Sequence, residues 1–164
     1  FLTSSSGNIS IAGISTVNVN GGAGTDAISF GAMPASMPNL FISGNGGDDT
    51  VDFNGNISFA GDRSLAVSMI DTPSFGSVNF SNATIGLSGS GVVDIQCRKK
   101  ISLSTSNVAT QNGDIRLANF IAGSPVGNFR GIRLSASTLQ VTGSGALKLD
   151  GIGGDDGKIG RAHV

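Results

Sequence analysis

Gly21-Gly22-Ala23-Gly24-Thr25-Asp26-Ala27-Ile28-Ser29 and Gly44-Asn45-Gly46-Gly47-Asp48-Asp49-Thr50-Val51-Asp52 decide the fold between them. Each joins a glycine-rich turn to an aspartate and then to a strand in which apolar and polar residues alternate. The first meets the nonapeptide pattern G-G-x-G-x-D-x-U-x at every position, with U apolar, and the second departs from it only at Asn45. They begin at residues 21 and 44, and a step of twenty-three residues suits one full coil of a β-solenoid.

Outward from these turns, the same alternation runs from Ile9-Ser10-Ile11 and Val17-Asn18-Val19 to Leu139-Gln140-Val141 and Leu147-Lys148-Leu149. A period of two marks strands with one buried face. Gly, Asn, Ser and Asp fill the gaps, and they suit turns because they tolerate positive φ or bond their own backbone. The stretch from Met33-Pro34 to Met37-Pro38 reads as an excursion from the coil, since proline supplies no donor to a ladder. Spacings such as Val19 to Ile42 and Leu117 to Leu134 predict coils of about 17–25 residues. With coils about 4.8 Å apart, ~7 of them would make a rod. The expected class is all-β: a single-stranded parallel β-helix over residues 1–158. Its rival is an antiparallel β-sandwich, disfavoured by the lack of two-residue hairpin pairs.

Composition points the same way. The chain has no Glu, Trp or Tyr, and only 13% of its residues are charged. Helical proteins rely on unbranched side chains that lose little freedom in a helix, and those are scarce here. A net charge of −1 gives no electrostatic reason to expect nucleic acid or an acidic membrane as partner. No signal peptide, membrane-spanning run or initiator Met is present, and the chain reads as an internal fragment. Cys97 is alone, so no internal disulfide forms, and it reads as a small buried side chain. Arg98-Lys99-Lys100 reads as an exposed coil edge. Ile159-Gly160-Arg161-Ala162-His163-Val164 matches one reading frame of a widely used short-read sequencing adapter, so residues 159–164 are set aside as an artefact. His163 is the sole histidine and leaves with them.

Calcium is the candidate chemistry. A hard cation takes six to eight oxygens from carboxylates and carbonyls. A twenty-three-residue coil puts Asp26 and Asp49 in register one layer apart, with Asp48 and Asp52 near enough to add oxygens. The turns carrying Gly22, Gly24 and Gly46 would contribute carbonyls. The competing reading is that each aspartate caps backbone N–H groups of a tight turn. A carbohydrate-active enzyme is a further class, with Asp62, Asp71, Asp94 and Asp114 available. None of these forms a close pair in sequence, and Tyr, Trp, Glu and, with His163 set aside, His are all absent.

Gly113-Asp114-Ile115-Arg116-Leu117 and Lys100-Ile101-Ser102-Leu103-Ser104 resemble the coils of filamentous-haemagglutinin-like and autotransporter-passenger proteins. The two nonapeptides resemble the haemolysin-type (RTX) calcium repeat. The coil likeness covers most of residues 7–158 but is mainly a rhythm, whereas the turn likeness covers only 21–29 and 44–52. Unlike RTX repeats, the two copies do not run in tandem. The resemblance implies a right-handed parallel β-helix, export to the bacterial surface or exterior, and a non-enzymatic adhesive or stalk role. A surface receptor or glycan would be the partner, and flanking coils of a longer chain would continue the stack.

Overall fold

The structure is a computed structural model that describes residues 2–4, 7–9, 11–33, 36–59, 61–71, 75–119 and 130–153. An antiparallel hairpin, β1 (Leu2–Ser4) and β2 (Gly7–Ile9), comes first. Next are β3 (Thr16–Asn20) and β4 (Ala27–Phe30). Four turns of three strands follow. They are β5 (Asn39–Ser43), β6 (Thr50–Phe53) and β7 (Asn56–Phe59), then β8 (Leu65–Met69), β9 (Ser77–Ser81) and β10 (Thr84–Leu87). After these run β11 (Val93–Cys97), β12 (Lys100–Ser104) and β13 (Asn107–Thr110), then β14 (Ile115–Asn119), β15 (Ile132–Ser135) and β16 (Thr138–Val141). The strand β17 (Leu147–Asp150) opens a further turn.

Every strand from β3 onward pairs in parallel with its counterpart one turn away. The first face runs β3-β5-β8-β11-β14-β17, the second β4-β6-β9-β12-β15, and the third β7-β10-β13-β16. The described residues contain no helix and no sandwich. The chain is a parallel β-solenoid.

The expectation of ~7 coils is corrected to about four complete turns. Val19 does pair with Ile42. Leu117, however, pairs with Leu149, and Leu134 with Leu103. The seventeen-residue step from Leu117 to Leu134 therefore goes round a corner, from first face to second, instead of up one turn. Alternation looks the same on every face, so it does not separate the two kinds of step. Turns run from 22 residues (Val93 to Ile115) to 32 (Ile115 to Leu147). The excursion expected at Met33 to Pro38 is also corrected in part. Met33 and Met37 donate their N–H groups to Asn56 and Ser58, and Met37 bridges Phe59 in parallel, so these two residues take the third-face place of their turn, while residues 34 and 35 lie outside the described residues.

The interior is built from the inward half of each strand. Leu40, Leu65, Val93 and Ile115 form one buried column, and Val51, Val78 and Ile101 another. Phe30, Phe53 and Phe80 stack with ring centroids 5.3 and 4.8 Å apart and planes within 17° and 12°. Leu103 continues that column inside the core. A turn alone leaves its inner face wet, and burial comes from the neighbours above and below.

The corner between second and third faces carries a repeat of its own. Phe80-Ser81-Asn82-Ala83-Thr84-Ile85, Leu103-Ser104-Thr105-Ser106-Asn107-Val108 and Leu134-Ser135-Ala136-Ser137-Thr138-Leu139 stack in register. Their third residues share the left-handed conformation, with φ of 51°, 50° and 48°. The Ser106 hydroxyl donates to the Ser104 carbonyl and accepts from the Ala83 N–H, and Ser137 repeats the device on the Ser135 carbonyl and the Ser106 N–H. Ser106→Ala leaves the buried Ala83 N–H without its acceptor, which costs about 1–3 kcal/mol. Urea unfolding should show this as a lower midpoint at unchanged slope.

Candidate functional site: the aspartate corner

The nonapeptide turns form the corner between first and second faces. Each starts where a first-face strand ends, at Asn20 and Ser43, and delivers the chain to β4 and β6. Asp26 and Asp49 fall in register one turn apart, as expected from their spacing. Asp49 is buried, and its Oδ1 accepts the Asp26 N–H at 2.9 Å, while the Thr50 N–H donates to the Asp26 carbonyl at 2.8 Å. The aspartate of one turn thus holds the backbone of the turn before it. Asp26 Oδ2 is buried with no hydrogen-bond partner.

The other candidate ligands do the same kind of work. Asp48 Oδ1 accepts the Phe75 N–H at 2.9 Å, and Asp71 Oδ2 accepts the Asn45 N–H at 2.9 Å. Asp52 stands on the second face and accepts from Asn79 Nδ2 at 2.8 Å. Among the described residues no group of three or more His, Cys, Asp or Glu side chains is placed to hold a metal ion. At this corner Asp48 and Asp49 cap backbone N–H groups of neighbouring turns.

The glycines divide into two roles. Gly22, Gly24 and Gly46 have φ of 94°, 114° and 106°, and a Cβ on any of them would meet nothing. They are there for backbone conformation. Sequence reasoning passed over Gly21 and Gly44, which are there for room, and Gly47, which combines a φ of 108° with a close approach. A Cβ on Gly44 would overlap the Asp49 carboxylate, and one on Gly47 the carbonyl of Gly24 in the turn before. The signal lay in the spacing, because Gly21 and Gly44 each precede their aspartate by five residues.

The four acids considered for catalysis are dispersed. Asp94 lies on the first face in a 3.4 Å ion pair with Arg116, and Asp114 Oδ1 takes the Ala146 N–H at a different corner. Asp62 accepts both the N–H and the hydroxyl of Ser90 at 2.8 Å. Those bonds, the N–H first, hold its carboxyl below the ordinary value, with Arg63 adding to them. A depressed folded-state pKa stabilises above the unfolded value, and that support is lost as pH falls through the folded one. A fall in the protection factor of the Ser90 amide, taken against its intrinsic exchange rate at each pH, on acidification below about pH 4 checks this.

Cys97 is buried at the end of β11, and burial pushes its thiol up to about 12, so it is no nucleophile. Arg98 is not the exposed edge that the basic triplet suggested. It is buried, 5.7 Å over the Phe75 ring, and donates to the Asp71 carbonyl. Lys99 is exposed and Lys100 half-buried. A shallow trough on the third face is lined by Ser58, Gly86, Ser88, Ala109 and Thr142, with no carboxylate among its lining residues. Residues 159–164, set aside as adapter-derived, lie outside the described residues.

No family model matches the chain, and neither a curated protein nor a solved structure matches it. The likeness to haemagglutinin coils and RTX turns therefore rests on the quoted residues alone.

Proposed function

We propose that this chain is a non-enzymatic structural and adhesive segment of a large exported bacterial surface protein. The observation that carries the reading is how the acids are used. Asp48, Asp49, Asp62, Asp71 and Asp114 each accept a backbone N–H from a neighbouring turn. Side chains that would serve chemistry in an enzyme here fasten one coil to the next. The third face is the one left to polar uncharged side chains, Asn56, Ser58, Thr84, Asn107, Thr138 and Gln140 standing outward, a hydroxyl- and amide-rich surface suited to hydrogen bonding with a glycan or a receptor.

Beads coated with the purified chain should be retained on glycan or cell surfaces more strongly than beads coated with a non-adhesive protein of equal charge. New reducing ends or unsaturated products released from a panel of polysaccharides would overturn the proposal in favour of a carbohydrate-active enzyme. Calcium gives a separate expectation. An ion at a hundred times its Kd would add about 2.7 kcal/mol, a rise of several degrees for a chain of this size. The capping geometry predicts equal melting midpoints in millimolar Ca²⁺ and in chelator, and a clear rise with Ca²⁺ would restore the RTX-like reading.

A further inference from the structure

Charge is unevenly distributed along the solenoid. From residue 11 to residue 92 the described residues hold Asp26, Asp48, Asp49, Asp52, Asp62 and Asp71 against Arg63 alone. From residue 93 to 153 they hold Arg98, Lys99, Lys100, Arg116, Arg130, Arg133 and Lys148 against Asp94, Asp114 and Asp150. Both ion pairs among the described residues, Arg116–Asp94 and Lys148–Asp150, lie on the first face. The third-face strands carry no charged residue. What remains is concentrated on the second face and the corner beside it.

On that face one outward column reads Ser29, Asp52, Asn79, Ser102, Arg133. Along the adjoining corner Asp26 and Asp49 give way, two turns on, to Lys99 and then Arg130. Asp48, Lys99, Arg130 and Arg133 are all exposed. Between the charged ends the outward positions are Thr50, Asn79, Ser81, Ser102 and Ser104, with Ser77 buried and the half-buried Lys100 at the start of β12 beside it. The surface is flat, acidic at one end and basic at the other.

We infer that this second face is an interface for a second copy of the chain, laid alongside with its rod axis reversed. A two-fold axis along the strands, between β9 and β12, brings β6 opposite the partner's β15 and β9 opposite its β12. Asp52 then faces a second-copy Arg133, and Asp48 an Arg130. Both pairs recur by symmetry, so the contact is isologous and closes as a dimer. Facing sheets stand about 10 Å apart, a gap that arginine and aspartate together span. The four facing strands of four or five residues cover on the order of 300 Å² per copy. A stable interface uses roughly 800 Å² per partner, so one such face gives a weak, salt-governed pairing that strengthens with the number of turns sharing it.

Sedimentation velocity on the whole chain tests this across a concentration series at about 20 and about 500 mM NaCl, which shortens the screening length severalfold. The expected result is a monomer–dimer equilibrium at low salt, weakened at high salt, with nothing larger. Arg133→Asp should weaken it at least tenfold, because like charges placed face to face cost several kcal/mol. The double variant Asp52→Arg with Arg133→Asp should recover it, since both pairs are then restored with reversed sign. If that variant does not fold, Asp48→Lys with Arg130→Asp repeats the swap at the corner. A monomer at every concentration and salt, a dimer indifferent to charge reversal, or open-ended growth would each overturn the inference.

Discussion

Phe53→Ala should lower the stability of the chain by about 3–5 kcal/mol, the range for deleting a large buried ring. Phe53 has no exposed surface and lies between Phe30 and Phe80, with ring centroids 5.3 and 4.8 Å away, so its removal opens a hole touching three consecutive turns. No side chain elsewhere in the turn can refill it, since each inward residue is held by its own ladder. Two controls sharpen the result. Phe53→Leu should lose far less, because the same column is already filled by leucine at Leu103, and changes that keep most of the volume usually cost under about 1.5 kcal/mol. Phe41→Ala removes a phenylalanine from the outside of β5, where it is 41% exposed, and should stay within about 0.5 kcal/mol. Because turns of a solenoid interact mainly with their neighbours, amide protection should fall first in β4, β6 and β9. It should persist longest in β13 and β14. Uniform loss of protection across the chain would contradict this.

Much of the fold was legible because a solenoid writes its rule into every strand. Inward Val, Ile, Leu and Phe alternating with outward Ser, Asn and Asp appear wherever the chain is extended, and the 23-residue step from Val19 to Ile42 was already the true register. The turn count was not legible from alternation, for the reason seen at Leu117 and Leu134. The serine corner would have resolved it. Phe80-Ser81, Leu103-Ser104 and Leu134-Ser135 begin a six-residue pattern that occurs only once per turn. At the aspartate corner, sequence could place Asp26 and Asp49 in one column. It could not say where their oxygens would go, because the choice between a cation and an N–H depends on the angle between successive turns. Arg98 was misread for a related reason: its ring partner Phe75 lies twenty-three residues away, across the stack.

Gly47→Ala should be the most damaging single-methyl change at the aspartate corner, and Gly46→Ala beside it separates the causes. Both glycines have strongly positive φ, 106° for Gly46 and 108° for Gly47, so alanine at either one is strained by about 1–3 kcal/mol. Gly46 has open space where a Cβ would go, and strain is its whole cost. At Gly47 the methyl would also run into the carbonyl of Gly24 and lie 3.0 Å from the Thr25 nitrogen, both in the preceding turn. Overpacking of this sort adds about 1–3 kcal/mol. The two turns must then separate. The bond from the Gly24 N–H to the Gly46 carbonyl at 3.0 Å, and the cap of Asp49 on the Asp26 N–H, both lie in the path of that movement. Denaturant midpoints should therefore fall in the order wild type, Gly46→Ala, Gly47→Ala. Asp26 and Gly24 amides should lose exchange protection in the second variant and keep it in the first. Equal effects at the two positions would mean that turn conformation alone governs this corner, and that the close stacking of one glycine turn on the next contributes nothing.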